Sequence, residues 1–172
     1  MDLKNIVARA AFADIEASGL MEDGFPVEVA WRMRESKGSI LVKPCEFWNI
    51  EAWDADAERI HGLDRDHLVD AGTAVSDVAT ALNDVFSAKM VYTDSPEQDA
   101  AWFDMIHAAA DVPRRYRVIS ISRILAKMGF DAESADPLFA AARLKCDPRG
   151  RAANGVTYLS AVFSLAVKER TA

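Results

Sequence analysis

The spacing of apolar residues changes part-way along this chain, and that change limits the folds that the sequence can adopt. Residues 27–34 alternate apolar and charged side chains, which predicts a strand with one buried face. In residues 73–86 the apolar positions recur every three or four residues, which predicts a helix with one buried face. Strands that come first, followed by helices between further strands, indicate an α/β fold with a mixed sheet and not a doubly wound parallel sheet.

Three strands are predicted near the N-terminus. The small, apolar stretch at residues 7–14 predicts a buried strand, and residues 27–34 form the second strand. Lys37-Gly38 predicts a hairpin turn, after which residues 39–42 return as the third strand. These three strands are expected to pair as an antiparallel meander.

The rest of the chain predicts short strands between helices. Residues 89–92 and 117–121 are the strand candidates. Helices are predicted at residues 54–60, 73–86, 95–108, 122–128, 134–144 and 155–167. With 51% hydrophobic and 27% charged residues, the chain has the composition of one globular domain, which we expect to span residues 1–172.

The charge and the cysteines narrow the classes of function. A formal net charge of −7 excludes binding to duplex nucleic acid over a broad surface, because neutralising many phosphates requires a basic protein. Cys45 and Cys146 have no CxxC partner, so we expect no disulfide framework, no cysteine zinc site and a cytoplasmic location. The longest apolar stretch, residues 158–167, is shorter than the ~20 residues that span a bilayer, so no membrane partner is expected.

Asp14-Ile15-Glu16 is the first group of residues that indicates chemistry. The triplet lies at the end of the first predicted strand, where residues 14 and 16 point to the same face. Two carboxylates on one face offer the hard oxygen ligands that Mg²⁺ and Mn²⁺ prefer. A triplet of this kind is also typical of a solvated strand end, and taken alone it favours that simpler interpretation.

The order of the segments that follow favours a metal-binding site over a solvated strand end. The pattern D-x-E-x-x-G-L covers residues 14–20, Ile60-His61-Gly62-Leu63 ends a predicted helix, and a strand-to-helix segment ends at Asp99. This succession resembles the DEDD (DnaQ-like) 3′–5′ exonuclease superfamily, whose members have a ribonuclease H-like fold. The resemblance covers residues 7–167. It implies a ribonuclease H-like mixed β-sheet, with an antiparallel N-terminal meander and parallel strands, flanked by helices.

The resemblance also implies roles for individual residues. Asp14 would bridge two metal ions, Glu16 would hold one of them and Asp99 would support the other. The ions implied are Mg²⁺ or Mn²⁺, and the reaction is two-metal hydrolysis of a phosphodiester at the 3′ end of single-stranded DNA or RNA. His61 and Gly62 would lie near the terminal nucleotide.

The chain departs from the superfamily at its last motif, which is a histidine followed five residues later by an aspartate. The corresponding segment is residues 150–156, where Arg151 and Ala152 fit the pattern and Arg151 is expected to contact the substrate. Gly150 replaces the histidine that activates water, and Gly155 replaces the aspartate that binds metal. Loss of a general base alone typically lowers the rate by a factor of about 10²–10⁴.

Two functions therefore remain open. One is a metal-dependent 3′–5′ exonuclease of weak activity, and the other is a catalytically inactive relative that binds nucleic acid or a protein partner. Asp136, Asp147 and Asn154 are the candidates to replace the missing metal ligand, and His107 is expected at the surface. We expect the apolar residues 158–167 to pack against the sheet, and pairing of two copies as a homodimer is the alternative.

Overall fold

The strands form one mixed sheet. A computed structural model of the chain describes residues 2–21 and 23–172. The strands in this part of the chain are β1 (Ala11–Ala17), β2 (Pro26–Met33), β3 (Lys37–Leu41), β4 (Met90–Thr93) and β5 (Arg117–Ser120). They lie in the order β3-β2-β1-β4-β5, with β1, β2 and β3 antiparallel and β4 parallel to both β1 and β5. The predicted mixed sheet with an antiparallel N-terminal meander is confirmed.

Helices cover both faces of the sheet. The described residues contain α1 (Leu3–Arg9), α2 (Ala55–His61), α3 (Arg65–Ala71), α4 (Val75–Phe86), α5 (Pro96–Ala109), α6 (Ile121–Lys127), α7 (Ala132–Arg143) and α8 (Ala152–Thr171). All six predicted helices are present, with their ends shifted by a few residues. The sequence did not predict α3, because Leu68 is its one buried residue and the segment has no apolar period.

The first element is a helix, and the prediction of a strand from residue 7 is wrong over residues 7–10. Leu3, Ile6 and Val7 recur at helical spacing and all pack on the core cluster beneath α8. The strand starts only at Ala11. A short run of small apolar residues fits either element, and here packing against distant helices decides between them.

The hairpin turn predicted at Lys37-Gly38 is also wrong. Both residues belong to β3, where Lys37 pairs with Arg32 and Gly38 pairs with Trp31. The turn occupies residues 34–36. Gly38 is required by the strand and not by the turn, because a Cβ atom on it would lie 2.5 Å from the Trp31 ring.

β1 lies in the middle of the sheet with both of its faces covered. Phe12 packs with residues of α1, α6, α7 and α8, whereas Ala11 and Ala13 pack on the other side with residues of α4 and α5. The alternation of a strand places Asp14 and Glu16 on the face of Phe12, towards α8. The two acidic residues are therefore held near the end of a strand whose other residues are all buried.

The C-terminal helix α8 packs against β1 and β2, as expected for residues 158–167. Its buried side chains include Leu159, Val162 and Phe163, and the Phe163 ring lies 5.3 Å from the ring of Phe12. No helix in the described residues is both long and apolar enough to cross a membrane. Pairing of two copies through this helix stays a prediction.

His107 is buried on α5, so its expected placement at the surface is wrong. Its Nδ1 lies 2.9 Å from the carbonyl oxygen of Val112, and its Nε2 lies 3.1 Å from the hydroxyl of Tyr116. A neutral imidazole satisfies both contacts, since it donates from Nδ1 and accepts at Nε2. Burial lowers the pKa of His107 below its ordinary value.

We expect His107 to make the fold less stable in mild acid. Because its pKa in the folded chain lies below 6.5, the unfolded chain takes up a proton first, and stability falls as the pH drops below that value. The loss is at most about 1.4 kcal/mol per pH unit. Urea unfolding of the wild type and of His107→Gln, at about pH 7.5 and about pH 5.5, measures it. The difference in unfolding free energy should shift in favour of the variant in acid, and an unchanged difference would contradict the assignment.

Candidate metal centre

β1 and β4 are parallel neighbours, so the residues at their carboxyl ends meet at one edge of the sheet. Phe12 of β1 pairs with Tyr92 of β4. Asp14, two residues further along β1, therefore lies beside the end of β4, where Asp94 follows. The next helix, α5, carries Asp99 in its first turn. The carboxyl ends of parallel strands are the usual place for ligand sites in α/β sheets.

Three carboxylates converge at this edge. One oxygen from each of Asp14, Asp94 and Asp99 lies within 4.8 Å of the other two. Asp99 is buried, Asp14 is half-buried and Asp94 is exposed. None of the three forms an ion pair with a lysine, arginine or histidine of the described residues. A divalent cation is the partner that such a group of oxygen ligands prefers.

Burial and mutual repulsion make the ionised forms of these acids costly. Burial raises the pKa of Asp14 well above its usual range, and the charges of Asp99 and Asp94 raise it further. Burial also raises the pKa of Asp99 to about 7, against the opposing effect of the Thr93 hydroxyl. A bound cation would reverse both effects, because its positive charge favours the ionised carboxylates.

Two polar atoms beside the cluster are buried without a hydrogen-bond partner among the described residues. They are Oδ2 of Asp99 and Oγ1 of Thr93. The hydroxyl is close enough to lower the pKa of the Asp99 carboxyl, but the contact lacks hydrogen-bond geometry. Leaving such an atom unpaired costs about 1–3 kcal/mol. A metal ion with its waters would satisfy the Asp99 oxygen, so the residues present fit a divalent cation.

Glu16 is not part of this cluster, although the resemblance assigns it to the same site. The charges that act on it most strongly belong to Glu28 and Arg151, and burial together with Glu28 raises the pKa of Glu16 to about 7. Its side chain lines a cavity of about 240 Å³ that also borders His61. The structure thus brings together two of the three predicted ligands, Asp14 and Asp99, with the carboxylate of Asp94, which sequence reasoning did not select.

The cavity beside Glu16 combines apolar and polar groups. Leu20 and Ile60 border it and are 84% and 57% exposed, respectively. Ser95 and Gln98 contribute polar side chains from the start of α5. The cavity is smaller than the ~300–1,000 Å³ that encloses a drug-sized ligand, so it suits one flat ring or sugar of a larger molecule.

His61 and Gly62 lie at the C-terminal end of α2, next to this cavity. Gly62 has a φ of +66°, which favours glycine, and its N–H donates to the carbonyl of Glu58 at 2.7 Å. The N–H of Leu63 donates to Nδ1 of His61 at 3.0 Å, so Nε2 carries the proton of the neutral ring. That Nε2 is buried without a hydrogen-bond partner among the described residues, and the backbone of Ala17 is close enough to act on the pKa of the ring.

Arg151 forms a two-pronged ion pair with Glu28. Its Nη2 donates to Oε1 of Glu28 at 2.7 Å and its Nε donates to Oε2 at 2.8 Å. Glu28 is fully buried on β2 and also accepts from the N–H of Ala152, the first residue of α8, at 3.1 Å. The pair therefore fixes the start of α8 against the sheet. The substrate contact expected for Arg151 stays a prediction.

The two glycines of the last motif occupy restricted positions. A Cβ atom on residue 155 would overlap the Asp14 carboxyl group and lie 3.0 Å from the Asp14 Cβ. Gly155 therefore lets α8 approach β1 closely while Asp14 keeps its place. Gly150 has a φ of +100°, a conformation that favours glycine.

Of the three candidates for a replacement ligand, Asp136 and Asp147 lie outside the carboxylate cluster. Asp147 pairs with Arg149 at 2.7 Å, and the side-chain amide of Asn154 donates to the carbonyl of Arg149 at 2.8 Å. Asp136 is exposed on α7. The signal that could have found Asp94 is its position directly after β4, because β4 is the parallel neighbour of the strand that carries Asp14.

Solved structures of E. coli exonuclease I share this fold. Its complex with a dA16 oligonucleotide has a TM-score of 0.66 at 12% identity, covering 93% of this chain and 40% of the exonuclease chain. The zinc-bound complex of the enzyme with single-stranded DNA has a TM-score of 0.64 at 13% identity, with coverages of 94% and 40%. A product-bound structure of exonuclease I has a TM-score of 0.62 at 13% identity, with coverages of 94% and 43%.

The similarity lies in the fold and not in the sequence. The chain matches no protein-family profile. No curated protein has a significantly similar sequence. The chain spans about two fifths of the length of the exonuclease I structures. The similarity confirms the predicted α/β fold of the ribonuclease H-like exonuclease type.

We expect Arg151→Gln to destabilise the fold by about 2 kcal/mol, because Glu28 is then a buried carboxylate without a cationic partner. Since the Arg151 side chain is 43% exposed, the effect falls below the about 3–5 kcal/mol typical of fully buried pairs. Arg149→Gln is the matched control, because the pair of Arg149 with Asp147 is exposed on both sides. Urea unfolding compares the variants, and equal effects would contradict an anchoring role for Arg151.

The contact between Gly155 and Asp14 predicts that substitutions at these two positions have non-additive effects on the unfolding free energy. In an unobstructed helix, replacing glycine with alanine stabilises by about 1 kcal/mol. In the wild type, Gly155→Ala must displace the Asp14 carboxyl, so the gain should shrink or become a loss. In an Asp14→Ala background most of the obstruction is absent and the gain should return. Urea unfolding of the four proteins gives the coupling free energy, and additive effects would argue against the close approach.

Proposed function

We propose that this chain is a DEDD (DnaQ-like) protein that hydrolyses phosphodiesters at the 3′ end of single-stranded nucleic acid with Mg²⁺ or Mn²⁺. The observation that carries the proposal is the convergence of Asp14, Asp94 and Asp99 at the carboxyl ends of β1 and β4. The shared fold supports it, since the exonuclease I structures include complexes with single-stranded DNA. A cytoplasmic location and pairing as a homodimer stay predictions.

The carboxylates would hold the metal at this edge. Asp14 and Asp99 are shielded from solvent, and Glu16 borders the adjoining cavity, where the resemblance gives it a share in metal binding. A bound divalent ion neutralises the charge that develops on the scissile phosphate and polarises its oxygens. Without a cation the acids would repel a phosphate. We therefore expect nucleic-acid binding at this edge to require a divalent ion.

The cavity beside Glu16 suits the terminal nucleotide. Leu20 and Ile60 offer exposed apolar surface to a base or sugar, and Ser95 and Gln98 offer polar groups at the same cavity. The cavity of about 240 Å³ has room for a nucleotide's base or sugar. A net charge of −7 disfavours binding along a duplex, so we expect the substrate to be an unpaired 3′ end.

We expect turnover to be slow. Position 150 holds a glycine where the superfamily has the histidine that activates water. Loss of a general base typically lowers the rate by a factor of about 10²–10⁴. The remaining acceleration would come from the metal site and from orientation of the strand end in the cavity.

The second candidate function is binding without catalysis. The glycines at 150 and 155 favour it, because neither can supply the base or the ligand of the last motif. The space beside residue 155 is also taken up by the Asp14 carboxyl. Such a protein would bind a strand end or a protein partner and leave it intact.

Digestion of a 5′-labelled, single-stranded oligonucleotide tests the proposal, with DNA and RNA of one sequence assayed in parallel. We expect stepwise shortening from the 3′ end with Mn²⁺ or Mg²⁺ and none with EDTA. Asp14→Asn should slow it by about a hundredfold or more, because it removes a charged ligand. Glu97→Gln is the matched control, since it removes an exposed carboxylate from α5 and leaves the cluster intact.

Each outcome of this assay bears on one proposal. Oligonucleotide binding without shortening, measured by fluorescence anisotropy, would favour the second candidate function. Shortening that Asp14→Asn does not slow would contradict the assignment of the site. The absence of both binding and shortening would contradict the proposed hydrolysis and leave, of the second candidate, only the binding of a protein partner.

A further inference from the structure

Asp94 is an acidic residue that the motif comparison did not select. It follows β4 directly, one residue before the N-cap of α5, and its side chain is exposed. The sequence-based ligand set contains Glu16 instead. In the structure, however, the carboxylate oxygens of Asp94, Asp14 and Asp99 group together and Glu16 lies outside the group.

The geometry of the cluster matches a single small cation. Ligand oxygens around an octahedral Mg²⁺ lie about 2.1 Å from the ion, which places them roughly 3–4 Å from one another. The oxygens of Asp14, Asp94 and Asp99 all lie within 4.8 Å of one another, so closing around an ion needs only small rotations of the side chains. Asp94 can make such a rotation, because its side chain is exposed.

A second observation points to a ligand at the same place. Oδ2 of Asp99 is buried and has no hydrogen-bond partner among the described residues, and Asp99 as a whole is 4% exposed. A carboxylate oxygen that is neither solvated nor paired is costly to bury. A cation shared with Asp14 and Asp94 would supply the missing partner.

We propose that Asp94 is the third carboxylate ligand of a divalent-cation site with Asp14 and Asp99, in place of an acid from the last motif. The inference deepens the proposed function and rests on it, because it names a ligand of the same site. Position 155 cannot provide that acid, since it is a glycine whose side-chain space is filled by the Asp14 carboxyl.

Glu16 is the competing third ligand, and its surroundings make it the weaker choice. Glu28 and Arg151 are the charges that act on it most strongly, and Arg151 already offsets part of the acidic charge on that side. The three clustered aspartates have no cation of their own in the described residues. The aspartate cluster therefore lacks the protein counter-charge that Glu16 has in Arg151.

Mn²⁺ binding to the full chain, measured by titration calorimetry without nucleic acid, tests the inference. We expect Asp94→Asn to weaken binding by about tenfold or more, and Glu97→Gln, the matched control three residues away, to change it by less than about twofold. The rise in melting temperature caused by Mn²⁺ should shrink in the same order, because the stabilisation by a bound ligand grows with the logarithm of its affinity. Melting without metal checks that each variant is folded.

Three results would overturn the inference. They are unchanged Mn²⁺ affinity in Asp94→Asn, a loss in Glu16→Gln that equals or exceeds the loss in Asp94→Asn, and no Mn²⁺ binding by the wild type. Binding that depends on Asp94 in a protein that does not shorten oligonucleotides would leave the inference standing and refute the proposed hydrolysis. Shortening that persists at full rate in Asp94→Asn would do the reverse.

Discussion

Repulsion among the carboxylates of Asp14, Asp94 and Asp99 is the constraint on which the arrangement of this edge of the sheet depends. Like charges brought together at low exposure raise the free energy of the folded chain, so the surrounding structure must hold them in place. β1 does this through its burial, because its other residues pack into clusters on both faces of the sheet. Packing of that strand offsets the cost of the acids, which is the pattern expected of a site kept for function.

The acids at this edge fall into two halves with different electrostatics. Glu16 and Glu28 share the positive charge of Arg151, and the Arg151–Glu28 pair also fixes the start of α8. Asp14 and Asp99, on the other side, have no protein cation in the part of the chain that the structure describes. The charge of Glu16 nevertheless raises the pKa values of both Asp14 and Asp99, so the two halves are electrostatically linked.

Local patterns were predictable from the sequence, and contacts between distant segments were not. The alternation in residues 27–34 and the helical spacing in residues 73–86 are properties of neighbouring residues, so both elements were predicted nearly to their ends. His107 was placed at the surface because its partner Tyr116 lies beyond the end of α5 and is not visible in the helical period. Asp94 was missed because its significance depends on the pairing of β1 with β4, which no local pattern encodes.

Each glycine of the last motif lies where the neighbouring atoms or the backbone conformation disfavour a side chain. A side chain at 155 requires Asp14 to move, and a side chain at 150 would place its Cβ atom 3.2 Å from the carbonyl oxygen of Ile60 at an unfavourable φ. Restoring the superfamily's residues would therefore require the Asp14 carboxyl to shift and residue 150 to change its φ. A site that takes its acids from the ends of β1 and β4 and from the first turn of α5 needs no such shift. The departure from the superfamily's pattern is thus compatible with a rearranged metal site as well as with the loss of one.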